Sequence, residues 1–274
     1  MKVAIFTYDQ EESIRVKEEL ESALKKTSMT VDNDPPDVVI SIGGDGTLLS
    51  AVHRYESQLD HVRFVGIHTG HLGFYTDWRD FEVEDLVASL AMDQDESVSY
   101  PMLSMKAKMS DGSTIKATVL NEVTVRNLGK TMVADIYINN RSFELFRGDG
   151  LCFSTPTGST AYNKSINGAV MDPWIHGFQL TEMASLNNRV FRTLGSPMIF
   201  GPDTRVLVKA HNKTARALTA DGTQLLEPTE KNKPSDPFLQ TVSFAVADQS
   251  VRFARYRHTP FWHRVKNAFI GSHQ

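Results

Sequence analysis

The run Ile40-Ser41-Ile42-Gly43-Gly44-Asp45-Gly46-Thr47-Leu48-Leu49 constrains this chain more than any other stretch. Three glycines flank one carboxylate, directly after the apolar Val38-Val39-Ile40 and directly before a helical pattern. Glycine serves where backbone must turn sharply or come close to another group. A strand that ends in such a loop and opens a helix presents unpaired N–H groups to an anion, usually phosphate. A negative charge inside a phosphate-cradling loop is costly unless it does chemistry, holds a metal or caps the helix. Asp45 is therefore read as a base, and Gly43, Gly44 and Thr47 as parts of a phosphate loop around it.

The flanking segments read as βαβ units. Residues 2–7 form a buried strand, and residues 11–26, with Ile14, Leu20 and Leu24 among charges, a surface helix. Asp34-Pro35-Pro36-Asp37 marks a turn before the strand Val38–Ile42. The helix after the glycine loop places Leu48, Leu49, Val52 and Tyr55 on one face. The next strand, Val62–Ile67, ends in a second glycine loop, His68-Thr69-Gly70-His71-Leu72-Gly73-Phe74-Tyr75. Asp80 is expected to cap a helix carrying Asp85, Leu86, Val87 and Leu90. This alternation predicts a parallel sheet, whose ligands sit past the carboxyl ends of the strands.

Near Ser97–Pro101 the pattern changes to short alternating runs. Met102–Met109 and Thr114–Val119 flank Asp111-Gly112, a strong hairpin signal, and Val133–Ile138 and Ser142–Phe146 flank Asn139-Asn140-Arg141. Further runs at Arg205–Ala210, Ala215–Thr219, Thr241–Val246 and Val251–Tyr256 extend a sandwich or distorted barrel, with a polar loop at Lys231–Asp236. A short C-terminal helix is expected to pack through Trp262, Val265 and Phe269. The fold class expected is an α/β N-terminal domain with a parallel sheet (1–99), a β-rich, sandwich-like C-terminal domain (100–250), and a segment 251–274 returning to the first domain.

Composition narrows the class. With 274 residues, 41% apolar and 23% charged, the chain can bury a substantial core. A net charge of −4 speaks against nucleic acid or an acidic membrane as partner. No run approaches the ~20 apolar residues of a membrane span, and the apolar start is too short for a signal peptide. The lone Cys152 forms no intramolecular disulfide and no zinc cluster, so a cytoplasmic location is expected.

Two stretches of the β-rich half break its alternation. In Leu120-Asn121-Glu122 an amide and a carboxylate adjoin at a strand end, able to bond ribose hydroxyls or an adenine edge; a plain polar strand end is the alternative. The run from Phe146 to Ser165 is dense in glycine and hydroxyl groups and suits a phosphorylated, sugar-bearing ligand, with Tyr162 able to stack on a base. Gly158-Ser159-Thr160-Ala161-Tyr162 is not a nucleophile elbow. His68 and His71 fit structural or ligand-adjacent roles better than a metal site, and Cys152, between Leu151 and Phe153, reads as a buried, inert thiol. Neither a P-loop nor the G-x-G-x-x-G dinucleotide motif is present.

Gly43-Gly44-Asp45-Gly46-Thr47, Gly70-His71-Leu72-Gly73-Phe74, Asn121-Glu122, Thr160-Ala161-Tyr162-Asn163-Lys164-Ser165 and Asp221-Gly222, in this order along nearly the whole chain, resemble the bacterial NAD kinases. The first motif alone also resembles lipid kinases and phosphofructokinases. The resemblance implies phosphorylation of NAD by ATP at the 2′-hydroxyl of its adenosine ribose, with Mg²⁺ or a similar divalent metal, in a homodimer or homotetramer that binds the dinucleotide between its domains. By matching positions it makes Asp45 the proton acceptor. Gly46, Phe74, Asn121, Glu122, Thr157, Thr160, Ala161, Tyr162, Asn163, Lys164 and Ser165 become nucleotide contacts. Arg147, Asp149 and Ala184 match contacts a neighbouring subunit can supply, and either Gly222 or Gln224 fills a further position. Where the family often has Asn-Arg, this chain has His68-Thr69. A lipid or sugar kinase of the wider group, and an NAD(P) sensor without turnover, are the alternatives; an intact Asp45 argues against the sensor, and the lack of a basic amphipathic segment against the lipid kinase.

Overall fold

The computed structural model describes residues 1–274 except 71, 128–129, 212–214, 216, 227–236, 258 and 272–274. His71 and the expected loop Lys231–Asp236 therefore lie outside the described residues. The chain divides into two compact units, Met1–Tyr100 with Gln249–Gln274, and Pro101–Asp248. No helix among the described residues is long and apolar enough to cross a membrane.

The first unit begins with β1 (Lys2–Thr7), α1 (Glu11–Leu24), β2 (Thr30–Val31), β3 (Val38–Ile42), α2 (Asp45–Arg54), β4 (Arg63–His68), β5 (Trp78–Arg79) and α3 (Val83–Ala91). Its strands run parallel in the order β2-β1-β3-β4. Every residue of β3 and β4 is buried, as a strand covered on both faces requires. Helix α1 buries Ser13, Val16, Leu20 and Leu24, spaced three or four apart; Ile14, expected inside, is half-buried because Val16 takes the inner position. The expected capping role of Asp80 is corrected. Asp80 opens a 3-10 turn and pairs with Arg15 (3.2 Å), while the Glu82 carboxylate accepts the Arg79 N–H (2.9 Å) ahead of α3.

The second unit is built from β6 (Ser97–Met109), β7 (Thr114–Val119), β8 (Glu122–Arg126), β9 (Met132–Ile138), β10 (Arg141–Gly148), β11 (Gly150–Ser154), α4 (Tyr162–Ser165), β12 (Phe178–Met183), β13 (Met198–Phe200), β14 (Val206–Ala210), β15 (Ala217–Ala220), β16 (Thr223–Leu226) and β17 (Leu239–Ala254). The chain passes between units within β6 and β17. An antiparallel sheet in the order β13-β12-β11-β8-β15-β16 shares one core with strands β6, β7, β9, β10, β14 and β17, which is the layered β-rich fold expected. Phe153 of β11 stacks on Phe244 of β17 at the centre of this core, with centroids 3.6 Å apart. Both hairpin signals hold: Gly112 and the pair Asn139-Asn140 have positive φ, and Asn139-Asn140 closes a two-residue turn between Ile138 and Arg141. The separate strands expected at Thr241–Val246 and Val251–Tyr256 are one strand, β17; its polar middle, Asp248-Gln249-Ser250, faces out without breaking extension.

After β17 the first unit is completed by α5 (Phe261–Phe269). The packing face is the expected one only in part, with Val265 half-buried and Phe269 in contact through its ring. Trp262 and Phe269 are 52% and 42% exposed, and the buried residue is Arg264. Phe261 and Phe269 meet the Phe74 ring at 6.1 and 5.8 Å.

Phe153→Ala should destabilise the protein by about 3–5 kcal/mol, since it removes a buried ring from a closed core. Urea unfolding monitored by circular dichroism checks this; a loss under about 1 kcal/mol is incompatible with the stack anchoring that core.

Candidate functional site

In the first unit the glycine loop joins β3 to α2. Gly43 has a φ of +146°, its N–H donates to the Ile67 carbonyl of β4 (2.9 Å), and a Cβ there would collide with the Thr47 hydroxyl. Only glycine closes this turn. Gly44 and Gly46 are exposed, and a Cβ on either would meet nothing within 4 Å. Glycine in a helix costs roughly 0.5–1 kcal/mol against alanine, so packing within the chain does not account for Gly46. Open space beside the first N–H groups of a helix suits the close approach of an anion.

Asp45 is the first residue of α2. Its Oδ2 accepts the N–H of Phe74 (2.8 Å) and its Oδ1 the N–H of Tyr75 (3.0 Å). Gly73 lies so close that a Cβ on it would overlap this carboxylate. The second glycine loop is thus folded against Asp45 by the side chain it orients. A carboxylate has about four acceptor sites, so two amide bonds leave capacity for a hydroxyl.

In the second unit Leu120-Asn121 connects β7 to β8, whose first residue is Glu122. The Asp221 carboxylate accepts all three N–H groups, from Leu120 (2.8 Å), Asn121 (2.7 Å) and Glu122 (3.1 Å). The Asp221 N–H in turn donates to the Glu122 carbonyl (3.0 Å). The Thr155 N–H meets the Asn121 carbonyl (2.9 Å), and the hydroxyls of Thr155 and Thr157 meet the Leu120 carbonyl (2.5 and 3.2 Å). Every backbone polar group of the segment is matched, which fixes where the Asn121 and Glu122 side chains start.

Glu122 is half-buried, and its buried Oε2 has no hydrogen-bond partner among the described residues. Burial first, and then the Asp221 carboxylate, push its carboxyl up to about 7, against the pull of the Tyr162 N–H. Burial, and secondarily Glu122, raise the Cys152 thiol well above its ordinary value, which makes it inert as expected.

The remaining candidates divide by environment. Thr157 and Thr160 are buried, and the Thr160 hydroxyl donates to the Thr157 carbonyl (3.2 Å). Asn163 is fully buried; it accepts from the Thr181 hydroxyl (2.7 Å) and donates to the carbonyls of Ser159 and Ala169 (3.4 Å each), so its side chain braces the stretch. Ala161, Tyr162 and Lys164 are half-buried and Ser165 exposed. The Arg147 guanidinium lies 4.2 Å over the Phe191 ring, and Asp149 and Ala184 are exposed, Ala184 with a φ of +45°. Gly222 occupies the positive-φ turn beside Asp221, and Gln224 is exposed on β16. His68 is buried, its Nδ1–H donating to the Gly70 carbonyl (3.0 Å).

The first unit therefore brings Asp45, Gly46 and Phe74 together, and the second brings Asn121, Glu122, Thr157, Tyr162 and Gly222 together. The bracing roles of Asp221 and Thr155 escaped the sequence reading. Asp221-Gly222 signals a turn, but an acceptor 100 positions from its donors leaves no periodic trace.

Residues 4–94 match the family model described as the ATP-NAD kinase N-terminal domain, and residues 120–235 that described as the ATP-NAD kinase C-terminal domain. The chain is 54% identical over 271 residues to the NAD kinase of Limosilactobacillus reuteri, covering 99% of both chains. This chain belongs to the NAD kinase family. It is a phosphotransferase, and the family phosphorylates NAD. The NAD kinase of Latilactobacillus sakei is 49% identical over 273 residues, covering 99% of this chain and 98% of its own. Two solved structures share the fold. Yeast NADH kinase complexed with NADH superposes with a TM-score of 0.82 at 17% identity, covering 100% of this chain and 89% of its own. An NAD kinase from Archaeoglobus fulgidus in complex with ATP gives 0.73 at 22% identity, covering 100% of both.

At pH 3, below the ordinary glutamate value of 4.5, both folded and unfolded chains hold the Glu122 proton. As pH rises toward 7 the unfolded chain releases it while the folded chain keeps it, so stability falls, by at most about 3 kcal/mol. Glu122→Gln should therefore leave the melting temperature unchanged at pH 3 and raise it at pH 8. A variant that melts below wild type at pH 8 contradicts this environment for Glu122.

Proposed function

We propose that this NAD kinase transfers the γ-phosphoryl group of MgATP to the 2′-hydroxyl of the adenosine ribose of NAD, with Asp45 accepting the hydroxyl proton. The observation that carries this reading is the pair of N–H bonds from Phe74 and Tyr75 that hold the Asp45 carboxylate at the start of α2. Phosphoryl transfer passes through a loose transition state in most analyses, and its catalysis is mostly positioning and charge stabilisation. A well-placed carboxylate that takes the proton contributes roughly 10²–10⁴-fold.

Gly44 and Gly46 leave room for the triphosphate beside the helix start. Asn121 and Glu122, on their fixed backbone, take the dinucleotide, with Tyr162, Lys164 and Gly222 or Gln224 as further contacts. The metal belongs to the MgATP substrate: among the described residues no group of three or more His, Cys, Asp or Glu side chains is placed to hold one, and Mg²⁺ keeps several of its waters. It supplies charge neutralisation on the phosphates. Arg147, Asp149 and Ala184 are assigned to contacts made across an oligomer interface, a reading supported by the exposed Leu186, Val190 and Leu194 that follow them.

Asp45→Asn should bind NAD within a few-fold of wild type and lose 10²-fold or more in NADP formation, on the order of the base contribution. The check is an ATP/Mg²⁺ assay of NADP formed, alongside calorimetric binding of NAD. Wild-type turnover in the variant removes Asp45 from the mechanism.

A further inference from the structure

The loop that orients Asp45 is itself gripped from the far end of the sequence. Arg264, 4% exposed, is the one buried residue of α5. Its Nη1 donates to the Gly73 carbonyl (2.5 Å) and the Thr76 carbonyl (3.0 Å), its Nη2 pairs with the Asp77 carboxylate, and its Nε donates to the Thr259 carbonyl (3.4 Å). Asp77 also accepts the Thr259 N–H (3.0 Å), so the start of α5 and the loop are tied at two places. A guanidinium is planar, and its donors form a rigid fork, so the carbonyls it holds are fixed relative to one another.

Those carbonyls bracket the two amides that matter. The Gly73 carbonyl belongs to the same peptide unit as the Phe74 N–H, which donates to Asp45 Oδ2. A peptide unit is planar, so holding its oxygen sets the direction of its N–H. The Thr76 carbonyl fixes the other end, one residue beyond Tyr75. Gly73 packs directly on the Asp45 carboxylate, so a shift of this loop is a shift of the surface on which that carboxylate rests.

We propose that Arg264 is a positioning residue for phosphoryl transfer: by holding the Gly73 and Thr76 carbonyls it aims the Phe74 and Tyr75 N–H groups, and through them Asp45. The proposal rests on the reading of Asp45 as proton acceptor. It explains why the one buried side chain of a helix whose Phe261 and Phe269 also meet Phe74 is an arginine. The bond that secures the helix also sets the loop.

The test uses the full chain with Arg264→Ala, Arg264→Lys, Asp45→Asn and the Arg264→Ala/Asp45→Asn pair, measuring kcat, KM for NAD and for ATP, and melting temperature. Misplacing a reacting group by about 1 Å can cost 10²-fold. Arg264→Ala should lose kcat on that order, with both KM values within a few-fold of wild type. Low-millimolar guanidinium, below denaturing concentration, should restore part of that loss. Arg264→Lys keeps the charge opposite Asp77 but lacks the fork, so it should also be slow, unresponsive to guanidinium and near wild type in melting temperature; it carries the test if the alanine variant does not fold. In the Asp45→Asn background Arg264→Ala should cost little more. Wild-type kcat in folded Arg264→Ala or Arg264→Lys, a loss confined to KM, or a full additional loss on top of Asp45→Asn each overturns the proposal. A fully active Asp45→Asn overturns the base reading itself, whatever Arg264 does.

Discussion

The two backbone N–H groups that meet the Asp45 carboxylate are the contact on which the first unit's site depends. Phe74 and Tyr75 bring the second glycine loop onto the start of α2, and in return the carboxylate is held in one orientation. Both carboxylate oxygens accept a backbone N–H, so the side chain joins the loop to the helix start. The glycines take different parts around it. Gly43 and Gly73 are required by close contacts, whereas Gly44 and Gly46 keep space open where nothing in the chain fills it.

The second unit uses the same device for a different end. The Asp221 carboxylate gathers three successive N–H groups and so fixes the junction at which β7 gives way to β8. Its charge has a consequence for its neighbour: with burial, it keeps the Glu122 carboxyl near 7, where a side chain can donate as well as accept a hydrogen bond. Thr155 and Thr157 complete the frame from the end of β11, so the hydroxyl-rich stretch that drew attention as a binding segment also supports the Asn-Glu pair.

Much of this was legible in the sequence because it is local. The apolar runs of β3 and β4, the glycine loop before α2 and the Asp-Gly and Asn-Asn turns are decided by neighbours within a few residues. The failures share a physical cause, which is that tertiary partners chose among local options. Gly150–Ser154 lies in the glycine- and hydroxyl-dense stretch read as ligand-binding, yet two antiparallel neighbours make it a fully buried strand. The polar centre of β17 reads as a break, yet one continuous strand passes through it. In α5 the apolar spacing points to Trp262, Val265 and Phe269, while the helix is seated by a buried arginine whose acceptors lie some 190 positions earlier. Asp80 has the right residue type for a cap, but Arg15 claims it. Motif resemblance recovered Asp221-Gly222 as a pair of interest; only the structure shows that the aspartate acts as a backbone clasp.

An oriented carboxylate should act on one hydroxyl and not on its neighbour. The measurement that bears on this most directly is phosphate incorporation from MgATP into NAD analogues lacking either the 2′- or the 3′-hydroxyl of the adenosine ribose. The account predicts that the 3′-deoxy analogue is phosphorylated and that the 2′-deoxy analogue, although bound, is not. Phosphorylation of the 2′-deoxy analogue would contradict it.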